Sequence, residues 1–211
     1  MSHGVHAVQH EAEHKMQHDD HGGHDGGKEN FNKRIALMIA VIALFLAFSE
    51  TMGKSAQTSA LNYQIEASNL WNFFQAKNIR RTVTIVATDQ AKLGMLGLTN
   101  DEQKAAFTKQ IGAWTELAAR YRSEPKADGK GEGTEELAKR AIEEQHHRDL
   151  ALAKYHHYEV ASAAFQIGIV LASATVITGM VILAYCAAGL GVLGIFFMAI
   201  GLVAPHAIHL M

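Results

Sequence analysis

The feature that most constrains this chain is the apolar stretch from Val160 to Val203, split only by Ala187-Ala188-Gly189. Val160 to Tyr185 holds no charged residue. At ~1.5 Å per residue it reaches ~39 Å as a helix, enough for a hydrocarbon core of ~30 Å. Leu190 to Val203 is shorter but wholly apolar. The turn between them is too short for a domain, so the two runs predict a membrane-crossing helical hairpin, with helices over 160–186 and 189–205.

A third apolar run, Ile35 to Phe48, is entered through Lys33-Arg34. Alone it is short for a span, but carried on to Gly53 it reaches ~30 Å. A first membrane helix is therefore expected over 33–53. Glu50 stands at its far end. A carboxylate within a bilayer is a candidate proton or ion site. The competing reading places it at the interface, paired with Lys54 in the favourable i, i+4 order. The second reading is preferred.

Between the spans, 54–159 reads as three helices, about 54–93, 99–123 and 134–159. Leu61, Ile65, Leu70, Trp71, Phe73, Phe74, Ile79, Val83 and Val86 recur at roughly three and four, an amphipathic pattern. Thr99 and Glu102 have the spacing of a capping box. Phe107, Ile111, Trp114, Leu117, Ala118 and Tyr121 share one face of the second helix. Glu124 to Gly133 has the composition of a flexible linker. Thr134 is expected to cap the third, which carries Glu135 and Glu136 where the helix dipole favours them. The expected fold is thus an all-α membrane protein: three transmembrane helices with an extra-membrane helical-bundle or coiled-coil stalk. Two prolines in 211 residues suit it.

Residues 1–32 form a polar tail, expected to be disordered and rich in histidine. His10, His14 and His18 are four apart and would share a helix face. Imidazole with carboxylate can chelate a divalent metal weakly, and no other cofactor is expected. The simpler reading is a solvated tail whose metal affinity is incidental.

The segment Ala67 to Thr82 (ASNLWNFFQAKNIRRT), preceded by Ser49 to Thr58 (SETMGKSAQT), closely resembles the bacterial membrane family called domain of unknown function 4337. Trp71, Gln75, Lys77 and Arg80 carry the specific part of the match. The resemblance implies a multi-pass protein of the bacterial inner membrane. It supplies no activity, because the family has no assigned catalytic or binding residues.

Other chemistry is sparse. Glu143, Glu144, His146 and His147 give Glu-x-x-His twice, a spacing used in di-iron bundles. A second such helix is missing, so a solvated face is the simpler reading. His156-His157, between Tyr155 and Tyr158, reads as an interfacial group or a pH sensor. Gly189-x-Gly191-x-x-Gly194 lacks the strand that a dinucleotide site needs and suits close helix packing. No nucleophile–base pair or phosphate loop stands out, so no enzyme is expected. A net charge of −2 argues against nucleic acid. The reading is a membrane-anchored, self-associating helical scaffold or adaptor, with the lipid bilayer and further copies of itself as partners. The alternatives are a divalent-metal-handling protein using the tail, and a small ion or proton conductor using Glu50.

Overall fold

A computed structural model of the chain describes residues 26–205; the tail histidines, including His10, His14 and His18, lie outside them. The described residues form four helices and no strand: α1 Gly26–Met95, α2 Asp101–Arg122, α3 Thr134–Thr178 and α4 Val181–Val203. Three of them, α1, α3 and α4, are long and apolar enough to cross a membrane. The described residues divide into two compact units, one of residues 26–59 and 150–205, the other of residues 60–149.

In the first unit, Ile35, Ile39, Ile42 and Leu46 of α1 pack with Ala161, Phe165, Ile169 and Ala172 of α3 and Ala187 of α4. The α4 face of this core is built from small residues: Ala187, Gly191, Gly194 and Gly201 are buried. A Cβ on Gly201 would stand 3.0 Å from both His157 and Tyr158, tighter than an ordinary contact, whereas one on Gly191 would meet Ile42 at an ordinary 3.5 Å. Glycine is what lets these helices approach so closely. Gly191, Gly194 and Gly201 therefore belong to a packing surface, while Gly189 is exposed.

The hairpin turn is at Gly179-Met180, not at Ala187-Ala188-Gly189. Gly179 has φ +69 and its N–H donates to the Thr175 carbonyl, ending α3 in a left-handed cap. Ala187 is a good helix former and sits inside α4. The shift also balances the two arms: Val160 to Thr178 gives ~29 Å and α4 gives ~35 Å, both suited to one bilayer.

In the second unit, α2 turns the face expected of it inward, with Ala118 buried and Phe107, Ile111, Trp114, Leu117 and Tyr121 half-buried. Its N-cap is Asn100 rather than Thr99: the Asn100 side chain accepts from the backbone N–H of Glu102 at 2.8 Å and of Gln103 at 3.3 Å. Asn is as good a cap as any, and it stands one place nearer the helix. Thr134 does not cap α3; its hydroxyl donates to the Arg122 carbonyl at 3.2 Å.

Along α1 the inward positions keep one rhythm. From Ile35 they fall alternately four and three residues apart, through Leu46, Gly53, Ala60, Ala67, Phe74, Arg81 and Thr88 to Met95, and every one is buried or half-buried. A repeat of 3.5 is the spacing of helices that supercoil left-handedly. This corrects the expected amphipathic face. Leu70, Trp71 and Phe74 do face inward, but Leu61, Ile65, Ile79, Val83 and Val86 are exposed. The inward seam beyond Phe74 is carried instead by Lys77, Arg81, Thr84, Thr88 and Ala91. Size and hydropathy alone pointed to the wrong side of the helix.

Candidate functional site

The most organised polar site lies in the second unit, around Lys77. Its place on the inward seam of α1 buries it, leaving the side chain 9% exposed. Nζ stands 3.7 Å from a Glu124 carboxylate oxygen and 4.0 Å from one of Glu132. It also lies 5.6 Å from the ring centre of Phe73 and 5.5 Å from that of Tyr121. A buried ammonium needs such partners, because desolvating an unpaired charge is costly. Aromatic faces add cation–π attraction.

The two carboxylates come from the α2–α3 connection, expected to be a flexible linker. It is a folded loop. The Ser123 hydroxyl donates to Glu136 at 2.6 Å, and the Glu124 backbone N–H donates to the other Glu136 oxygen at 3.2 Å. Lys126 pairs with Glu132 at 2.9 Å, and Arg122 with Glu135 at 2.7 Å. Its glycines are sites of close approach: a Cβ on Gly131 would meet the Glu124 carbonyl at 2.7 Å, and one on Gly133 would meet Ser123 Cα at 2.6 Å. Composition suggested freedom where glycine serves proximity.

The charges are tuned by these pairs. A hydrogen bond from Arg120 holds the Glu124 carboxyl below its ordinary value. Lys126 does the same for Glu132, and the Ser123 hydroxyl for Glu136. Beside the loop an open cleft of about 440 Å³ is lined by residues of both signs, among them Glu66, Lys130 and Arg140. As a whole, the arrangement is a charge clamp that fastens the loop to α1.

The family-motif residues separate by role. Trp71 packs edge-on to Phe74 at 5.3 Å, and both lie against Leu70, Leu137 and Ala141. Gln75 and Arg80 are exposed, while Lys77 is the clamp's centre. Residues 31–204 match the sequence family described as a domain of unknown function (DUF4337). The chain belongs to this family. The family match therefore spans both units and all but the ends of the described residues. No curated protein and no solved structure is detectably similar to the chain.

The Glu143/Glu144/His146/His147 group does not assemble into a centre. Glu143, His146 and His147 are exposed on α3, and the His147 ring leans on Tyr63 at 5.3 Å. Among the described residues no group of three or more His, Cys, Asp or Glu is placed to hold a metal ion. Consecutive turns of one helix cannot surround an ion without ligands from a facing helix.

In the first unit, Glu50 does not form the expected pair with Lys54. Its carboxylate accepts from Gln166 Nε2 at 3.2 Å. Beside it, the buried Ser49 hydroxyl donates to the Tyr158 carbonyl at 2.9 Å. His157, expected at an interface, is 1% exposed. Its Nε2 lies 3.1 Å from the Pro205 carbonyl, its ring lies on Phe197 at 6.2 Å, and Nδ1 has no partner. Adjacent His156 lies on the exposed side, 3.7 Å from Glu159. A His-His pair gives no sign of which member faces the core.

Proposed function

We propose that the protein is a membrane-anchored, self-associating helical scaffold or adaptor of the bacterial inner membrane, without a catalytic role. One observation carries the reading. Within 60–149 all but two of the exposed large apolar side chains lie on α1, at Leu61, Ile65, Phe73, Ile79, Val83, Ile85, Val86 and Leu93; the others are Leu96, just past its end, and Ile142 of α3. The outward face of α2 shows none. A soluble surface rarely gathers such a patch unless something covers it. The same helix carries an apolar segment long enough to cross a membrane, which supports the reading of a chain held at a bilayer.

The rival readings gain less. A metal-handling role would rest on His10, His14 and His18, which lie outside the described residues. A conductor would use Glu50, whose carboxylate instead joins two candidate spans through Gln166.

Removal of residues 1–28 tests the choice. A scaffold keeps its membrane association and its assembly after the truncation. A metal-handling protein loses its bound metal with the tail, and assembly that disappeared along with the metal would contradict the scaffold reading.

A further inference from the structure

We infer that a second copy of this chain covers the outward stripe of α1, in a parallel, in-register helix pair. The inference rests on the scaffold reading and specifies its contact surface.

The stripe has the right period. Ile79, Val83, Val86, Gln90 and Leu93 are four, three, four and three residues apart, and all are exposed. Ala76 extends the stripe one step toward the N-terminus, again at a spacing of three. This is the same 3.5-residue rhythm as the inward seam, displaced to the opposite side of the helix. A repeat of 3.5 fits another helix winding alongside, and it does not fit a strand. The stripe is also the more apolar of the two sides there, since the inward seam holds Lys77, Arg81, Thr84 and Thr88.

Three observations favour a copy of the same chain. The first is charge. In a parallel pair, each position just before the seam meets the position five residues on in its partner. Gln75 would then face Arg80, Thr82 would face Ala87, and Asp89 would face Gly94, with no like charges opposed. The second is Gln90, the one polar residue in the stripe. A polar side chain in an apolar seam is costly unless a matching group meets it, and a single one fixes register. Gln90 of a parallel, in-register copy supplies both donor and acceptor. The third is direction. Copies inserted the same way in one bilayer present α1 parallel, and an antiparallel pair would need opposite insertion.

The test uses full-length protein in lipid vesicles. Cys186, the single cysteine, is first replaced by Ser; Gln90→Cys or Glu116→Cys is then added. Glu116 lies on the exposed side of α2 and serves as the control. Mild oxidation is expected to give a disulfide-linked dimer with Gln90→Cys and none with Glu116→Cys. In parallel, Val83→Asp combined with Val86→Asp is expected to weaken association by ~100-fold or more, because it buries unpaired carboxylates at the seam. Helix content by circular dichroism should match the parent, which separates loss of contact from loss of fold. The inference is overturned if the protein assembles yet Gln90→Cys fails to cross-link, or if the double Asp variant keeps the parent mass. A parent protein that is monomeric at every concentration would overturn the scaffold reading as well.

Discussion

Gly194 lies so close to Phe165 that a Cβ added to it would stand 2.6 Å from the ring. Phe165 is fully buried and is stacked on Phe45 at 6.1 Å, so its ring has nowhere to retreat. The closeness of α3 and α4 is set at this point. It also accounts for the last glycine of the fingerprint-like run, Gly194.

Gly194→Ala is therefore expected to destabilise the first unit by ~1–3 kcal/mol, the usual cost of overpacking a filled core. Gly189→Ala is the contrasting change, since nothing lies within 4 Å of its added methyl. It should be neutral or slightly stabilising, as alanine is the better helix former by ~1 kcal/mol. Thermal melting in one detergent, variant against parent, reads both. Equal losses would mean that the α3–α4 contact does not depend on glycine at this position.

Lys77→Met removes the clamp's centre but retains most of its bulk. Glu124 and Glu132 are partly exposed, so part of their lost pairing is recovered by water. A cost of ~1–3 kcal/mol follows, below the value for a fully buried pair. The local signature is sharper than the global one. Limited proteolysis should cut the 124–133 loop faster in the variant than in the parent. An unchanged loop would show that the Ser123 and Glu136 contacts fasten it unaided.

The loop should also loosen in acid. Glu124, Glu132 and Glu136 all sit below their ordinary carboxylate values, held there by Arg120, Lys126 and Ser123 respectively. A group with a depressed folded value stabilises fully above the unfolded value of ~4.3, and the gain is lost as pH falls through the folded value. Hydrogen exchange of the loop amides should thus report the same protection at pH 7 and pH 6, and a progressive loss of it below pH ~4. Loss already complete at pH 6 would assign the effect to histidine instead.

Glu50→Gln tests the role of the carboxylate at the end of the first candidate span. Glutamine can still accept from Gln166, so the contact between α1 and α3 survives and stability changes by less than ~1 kcal/mol. Proton and cation flux into vesicles should be indistinguishable between variant and parent. Flux in the parent that disappears in the variant would restore the conductor reading.

Much of this arrangement is written in local sequence, and the exceptions have physical reasons. The three apolar runs mark three helices fit for a bilayer, because length and hydropathy alone decide that property. The face of α2 is legible because Phe107, Ile111, Trp114 and Tyr121 are large and regularly spaced. The inward face of α1 is not, because small Ala60 and Ala67 and charged Lys77 and Arg81 form it while Ile79 and Val83 stay outside. The position of the hairpin turn was hidden by the even hydropathy around Gly179, whose left-handed φ is a backbone property. The Lys77 clamp is legible only in part: the motif singles out Lys77, but its partners Glu124 and Glu132 lie about fifty residues on, in a loop with the composition of a flexible linker. Pairings at that separation are set by the fold and leave no trace in spacing.

Self-association is tested most directly by the mass of the full-length protein in mild detergent, measured by light scattering over a wide dilution series. A membrane-anchored scaffold whose α1 stripe is covered by its own copies predicts a defined species at an integer multiple, two or more, of the 23.0 kDa protomer, persisting until high dilution. A 23.0 kDa protomer alone at every concentration would contradict it.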